Sequence, residues 1–355
     1  MDSVTQFTLG AVVSTLCLGK RMGPRKAALL GGLLGTLPDL DVLLPVANEV
    51  DAFVLHRGWT HSFFVHALAA PIIGEILVRT IKALKDARFR VWLAVFLIFS
   101  THAIIDGITV YGTRLFWPFY PDPIGVGSMF IIDPLYTLPI LAVAIWSFVK
   151  RDWSAALGRG LVIALVATTA YMGLGVVLQA NAESRAKVIF ADAGVEVRNI
   201  FAISGPFNVN VWKVIAQDDD HYYNLYLSLL DDDSQARIYA HPSRPDLAAC
   251  LEGNDAFEKL KWFSRGYYTA DLEEGQIVVS DLRMGLTPYY VFRFALAETG
   301  GDAVTIIEPQ SINSPIVTLN EDLDWYGDRF LGRSSERAVE ANVPGPPPAE
   351  ELASC

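Results

Sequence analysis

The chain has 355 residues, 52% of them hydrophobic, a formal net charge of −11 and a mean hydropathy of +0.32. That is too apolar for an average soluble protein and too acidic to bind phosphate backbones, so a membrane portion is expected and a nucleic-acid partner is not. The charge is also uneven: residues 1–182 hold fourteen Lys and Arg against eleven Asp and Glu, whereas residues 183–355 hold fourteen against twenty-eight.

The expected fold class is therefore an α+β membrane protein: a transmembrane helical bundle over 1–182, a soluble acidic β-rich domain over 183–332, and a disordered tail over 333–355. Met1-Asp2-Ser3 has no basic n-region, and the first apolar run reaches Gly19-Lys20-Arg21 without a small-residue cleavage site, so it reads as retained. Apolar segments at about 4–19, 27–46, 63–81, 91–110, 131–149 and 160–179 predict six helices. The last three are long enough to cross or nearly cross a hydrocarbon core of about 30 Å. The first is short, and the second is interrupted by Pro38, Asp39 and Asp41.

The loops give an orientation. Lys20, Arg21, Arg25 and Lys26 follow segment one; Arg79, Lys82, Lys85, Arg88 and Arg90 follow segment three; Lys150, Arg151 and Arg159 follow segment five. The alternate loops hold only Arg57 and Arg114. By the positive-inside rule the first set is cytoplasmic. The expectation is six spans, with both ends, the 47–62 and 111–130 loops and everything after about residue 180 on the external side.

Beyond 183, Val209–Ile215, Gln276–Ser280 and Tyr289–Ala295 are rich in β-branched and aromatic residues between turn formers, the pattern of short antiparallel strands. Pro344-Gly345-Pro346-Pro347-Pro348 marks the tail as disordered. Cys17, Cys250 and Cys355 show no metal spacing, and no disulfide framework is expected. His221 and His241 read as isolated surface groups without a catalytic constellation.

The chemistry lies in the apolar half. His56, His61, His66 and His102, four of the six histidines, alternate there with Asp39, Asp41 and Asp106. Ionisable groups are expensive beside lipid and mark metal sites, proton paths or substrate sites. His102 and Asp106 are spaced i, i+4 and share a helix face, either as two ligands of one metal or with Asp106 orienting the imidazole. Asp39 and Asp41 repel unless a cation or proton sits between them. In His56-Arg57-Gly58-Trp59-Thr60-His61-Ser62 both histidines are candidate ligands, and Arg57 suits an anionic group such as a phosphate. His66 is open between ligand, core and supporting roles.

The expected metal ligands are thus Asp39, Asp41, His56, His61, His102 and Asp106, with Asp39, His61 and Asp106 as the catalytic members. A mixed imidazole and carboxylate set suits a divalent ion, Zn²⁺ first. One reading is a closed site that holds such an ion. The rival is a metal-ion or proton transporter, which predicts ionisable groups at several depths; here they collect at one face. The bilayer is the expected partner, and the oligomeric state is not encoded legibly.

These residues, with Met1-Asp2-Ser3-Val4-Thr5-Gln6, the stretch Thr101–Thr113, Leu115-Phe116-Trp117-Pro118-Phe119 and Ile132-Asp133-Pro134-Leu135-Tyr136, resemble the YdjM family over roughly residues 1–140. The resemblance implies an inner-membrane-associated metal-dependent hydrolase, of a family with a LexA-regulated branch. Pro206-Phe207-Asn208 and Ser280–Gly285 resemble the C-terminal extension of its longer members. It also implies a histidine in many relatives where this chain has Gln6. A remoter similarity to zinc-dependent phospholipase C and P1-type nucleases implies phosphoester chemistry, so the expected activity is hydrolysis of a phosphoester or ester of a lipid-like substrate through a metal-activated water.

Overall fold

Asp2 opens the first helix by accepting the backbone N–H groups of Val4 and Thr5, and α1 runs Ser3–Met22. Gly23, at φ +85°, supplies a backbone turn that a side chain resists, and Pro24 then occupies the first position of α2 (Pro24–Gly35), where its missing N–H is harmless. The computed structural model describes residues 1–300, 303–314 and 319–343. These divide into two compact units.

The first unit holds Met1–Leu44, His56–Val177 and Pro206–Asn208. Here α2 gives way to a 3₁₀ turn at Pro38–Leu43: Leu37 keeps helical angles, but Pro38 has no backbone N–H to bond back into the preceding turn. Segment two is therefore not one continuous helix: the twelve residues of α2 reach about 18 Å, short of a hydrocarbon core on their own, and the 3₁₀ turn extends them. After α3 (Glu49–Leu55), which belongs to the second unit, come α4 (Phe63–Thr80), α5 (Arg88–Ile108), α6 (Pro134–Val149) and α7 (Ala155–Asp192). Among the described residues α4, α5 and α7 are long and apolar enough to cross a membrane, and α6 is a shorter apolar helix. Where the sequence led us to expect about six spans, three helices meet the criterion.

The first unit's core gathers Leu9, Val12, Ile98, Ile140, Leu157 and Leu161, all buried. Against it α1 and α2 meet backbone to backbone. A Cβ built on Gly31 would lie 2.2 Å from both the Gly10 carbonyl oxygen and the Ser14 Cβ, so only glycine fits there. Asp133 caps α6 through the N–H groups of Leu135 and Tyr136 and accepts the Tyr171 hydroxyl of α7 at 2.8 Å. The aspartates at the starts of α1 and α6 thus act as caps.

The second unit contains a four-stranded antiparallel sheet of β1 (Asn199–Ser204), β2 (Val211–Gln217), β3 (His221–Ser228) and β4 (Ile238–Pro242), in that order. Two helices follow, α8 (Pro245–Ala249) and α9 (Asp255–Phe263). Then come β5 (Tyr268–Glu273), β6 (Gln276–Asp281), β7 (Gly285–Leu286), β8 (Tyr289–Tyr290), β9 (Arg293–Gly300) and β10 (Ala303–Ser311). The second sheet has the order β10-β9-β6-β5, and β7 pairs with β8 alone. The strand expected over 289–295 is therefore split: Val291 is exposed, and only from Arg293 does the chain join β6.

Three further features depart from the sequence reading. Residues 45–55, expected as the end of segment two and the start of the external 47–62 loop, pack in the second unit, where Phe53 meets the rings of Phe263, Phe292 and Phe294 at 4.8, 4.2 and 5.6 Å. Residues 333–343, expected to be disordered, follow α10 (Leu319–Phe330) and include α11 (Ala338–Ala341). There Arg337 and Glu340 are buried, and Arg337 binds Asp322 at 2.8 and 2.9 Å. The Pro-rich stretch 344–348 lies outside the described residues. His241 is buried and bonded to Glu340 at 3.0 Å, not a surface group. Cys17 is a free thiol and Cys250 is in a disulfide.

Truncating Phe53 to alanine is expected to destabilise this unit by about 3–5 kcal/mol, the usual cost of deleting a buried phenyl ring. Amide exchange across α3 and α9 would then speed up; unchanged exchange would show that the ring carries no such weight.

Candidate metal centre

Four side chains from three places in the first unit converge. Asp39 comes from the 3₁₀ turn after α2, His61 from a second 3₁₀ turn at Trp59–His61, and His102 and Asp106 from one face of α5. Each offers one donor atom, and the four donors lie within 4.8 Å of one another. His61, His102 and Asp106 are fully buried; Asp39 is partly exposed and forms the open side.

The hydrogen bonds fix which nitrogen of each ring faces inward. The Gly35 carbonyl can only accept, so His102 Nδ1 donates to it at 2.7 Å and Nε2 keeps its lone pair. Thr60 Oγ1 donates to Asp41 Oδ2 at 2.6 Å, so it accepts from His61 Nδ1 at 3.0 Å, leaving His61 Nε2 bare as well. The two bare nitrogens are 3.1 Å apart. Each is 3.4 Å from Asp39 Oδ1 and 3.3 Å from Asp106 Oδ2. Both carboxylate oxygens are buried without a hydrogen-bond partner among the described residues.

With both imidazoles neutral, four lone pairs face one centre, an arrangement that is repulsive without a cation. A tetrahedral ion with bonds of about 2.0–2.2 Å holds its donors roughly 3.3–3.6 Å apart, close to the observed spacing. Ca²⁺ asks for six to eight oxygens and longer bonds, which this set does not supply. The residues present therefore fit a first-row divalent ion.

Asp41 and His56 take a different place from the four. His56 Nδ1 donates to Asp41 Oδ1 at 2.7 Å, and Asp41 Oδ2 also accepts the Arg57 backbone N–H at 3.0 Å. With Thr60 this occupies the Asp41 carboxylate, which steers His61 through the Thr60 hydroxyl. His66 Nε2 donates to the Thr60 carbonyl at 2.9 Å and steadies the same loop. Arg57, buried at φ +60°, places Nη2 at 3.5 Å from Asp106 Oδ1 and its guanidinium over the Tyr111 ring at 4.9 Å. Its Nε is buried without a hydrogen-bond partner among the described residues, a donor left available beside the cluster.

Gln6 joins the site. Its Nε2 donates to Asp106 Oδ1 at 2.9 Å, and the Met1 backbone nitrogen donates to the same oxygen at 2.5 Å. These bonds saturate Oδ1 and leave Oδ2 to face the centre. Two supporting groups, Thr60 and the Gly35 carbonyl, were not singled out from sequence. The only signal for Thr60 was its position between the paired histidines, and a backbone carbonyl leaves none.

Valine at position 60 keeps the shape of threonine and deletes both hydroxyl bonds, so metal affinity is expected to fall by about 10–100-fold. Thr60→Ser should retain it. Competition with a chromophoric chelator checks this, and equal affinities for the valine and serine variants would remove Thr60 from the account.

A family model described as YdjM inner membrane protein matches residues 1–182. A Bacillus subtilis (strain 168) protein named "Uncharacterized protein YfhP" is 26% identical over 156 residues, covering 41% of this chain and 46% of that protein. The chain therefore spans about half the length of the curated relative it matches. No solved structure matches it.

Proposed function

The chain belongs to the YdjM inner membrane protein family, and from that premise we propose that it is a membrane-bound metal-dependent hydrolase acting on a phosphoester or ester of a lipid-like substrate. The observation that carries this reading is the set of four inward lone pairs on Asp39, His61, His102 and Asp106. Zn²⁺ is the ion best suited to two imidazoles and two carboxylates in a compact cage. Bound there, it would activate a water near neutral pH and polarise the ester oxygen.

The protein's own groups supply the rest. Asp106 and the two histidines are buried and held by fixed partners, so Asp39 marks the side from which substrate enters. Leu40, Val42 and Leu43 in the same turn are exposed, which suits an acyl chain or the bilayer rather than water. Arg57 offers its free Nε to the anionic oxygens of a phosphoester beside the cluster. The proposed topology is six crossings of the inner membrane, α1 and α2 included, with the second unit outside; the charge bias of the loops supports it.

Full-length protein in vesicles of phosphatidylethanolamine and phosphatidylglycerol tests the reaction. Zn²⁺-loaded protein should release phosphorylated headgroup or fatty acid, a chelator should stop it, and Arg57→Met should slow it with bound metal unchanged. Metal flux across the same vesicles with no lipid hydrolysis would replace this reading with transport.

A further inference from the structure

The second unit contains a cavity of about 380 Å³, within the roughly 300–1,000 Å³ range of small-molecule sites. Its lining is unusual for an empty groove: Tyr222, His241, Ser280, Thr287, Tyr290 and Arg293 are all buried polar side chains. Their positions are fixed. Thr287 Oγ1 accepts from Asn224 at 2.7 Å and shares a hydrogen with the Tyr290 hydroxyl at 2.5 Å, and Tyr290 donates to Tyr222 at 3.1 Å. His241 stacks on Tyr222 at 4.9 Å.

The charges at this cavity cancel inside the unit. Arg244 is held by Asp246 at 2.6 Å, Arg293 by Glu273, and His241 by Glu340 at 3.0 Å. Among the described residues, no unpaired cation remains on the lining to attract a phosphate or carboxylate. Asp271 remains, with Thr269 Oγ1 at 3.2 Å as its hydrogen-bond donor and both arginines nearby. Burial pushes its carboxyl above the usual range, toward the neutral form. An ammonium ligand would meet two guanidinium groups there. Leu272, Pro242 and Pro288 add apolar surface to the same lining.

Dense fixed donors and acceptors, balanced charge and small apolar patches match a neutral polyol, whose hydroxyls both give and accept hydrogen bonds while its C–H faces lie on apolar groups. We propose that this cavity is a binding site for a neutral sugar of the monosaccharide class, with Asp271 and Arg244 as its principal hydrogen-bonding side chains.

Saturation-transfer NMR on full-length protein in nanodiscs, free of sugar detergents, tests this with glucose, N-acetylglucosamine, glucosamine and inorganic phosphate as probes. The neutral sugars should bind, and glucosamine and phosphate should bind at least tenfold more weakly. Asp271→Ala and Arg244→Ala should each weaken sugar binding about tenfold, the loss of one hydrogen bond. Unchanged circular dichroism would separate that effect from unfolding. Binding of phosphate or glucosamine in preference to the neutral sugars, no sugar binding, or sugar binding indifferent to both variants would overturn the proposal.

Discussion

Alanine at both His61 and His102 is expected to empty the metal centre while leaving the chain folded. The two substitutions remove both inward nitrogens and leave Asp39 and Asp106 facing one another, a pair that can share a proton but cannot hold an ion in four-fold coordination. Losing a group that merely orients a ligand weakens metal binding by about 10–100-fold, so losing two ligands should exceed a hundredfold. The stability readout follows by mass action: at a free metal concentration of about 1,000 Kd the bound ion stabilises the folded protein by roughly 4 kcal/mol. Chelation should therefore lower the melting temperature of the unaltered protein and leave the double variant unmoved. His61→Gln plus His102→Gln should behave alike and leaves no void. A double variant that keeps its metal and its chelator sensitivity would show that the four donors are not the site.

Alanine at Gly31 is the second large effect, and it acts through backbone rather than chemistry. The new Cβ would sit 2.2 Å from the Gly10 carbonyl oxygen and from Ser14 Cβ, so the helices must part. Overpacking of this kind costs about 1–3 kcal/mol. The displacement also reaches the metal centre, since Gly35 at the end of the same helix orients His102 through its carbonyl. Gly31→Ala should thus lose thermal stability and weaken metal binding together. Gly173→Ala, where a Cβ meets nothing within 4 Å, is the control and should be neutral or slightly stabilising. Equal behaviour of the two variants would refute the close approach of α1 and α2.

Much of the site could be read before the fold because Asp and His are conspicuous among apolar residues, and His102 and Asp106 follow helical spacing. What spacing could not tell was the division of labour. Asp41 is as acidic as Asp39, yet it is occupied by His56, Thr60 and a backbone N–H, a fact of tertiary geometry. Gln6 departs from the histidine that the resemblance implies, and it serves the site by holding Asp106 Oδ1.

The fold was legible in outline for similar reasons. Pro38 signalled the break after α2, but α7 runs on past its apolar stretch through Glu183, Arg185 and Lys187, where helix geometry persists without hydropathy to mark it. Residues 47–55 read as part of a loop between two apolar segments; their place in the second unit depends on where Phe53 finds aromatic partners. Arg337 and Glu340 look like solvated charges in a polar tail, and their mutual pairing together with the contacts of Arg337 to Asp322 and the Thr287 carbonyl and of Glu340 to His241, Asn224 and Tyr226 explains their burial.

The central claim is that Asp39, His61, His102 and Asp106 hold a first-row divalent ion. Elemental analysis of the full-length protein purified without added metal, followed by X-ray absorption at the edge of the ion found, tests it most directly. The expected result is a stoichiometric metal, zinc foremost, with the four protein nitrogen and oxygen donors and a water as its neighbours at about 2.0–2.2 Å and no sulfur, lost in the His61→Ala plus His102→Ala variant. Protein free of stoichiometric metal, or a metal whose environment is unchanged in that variant, would contradict it.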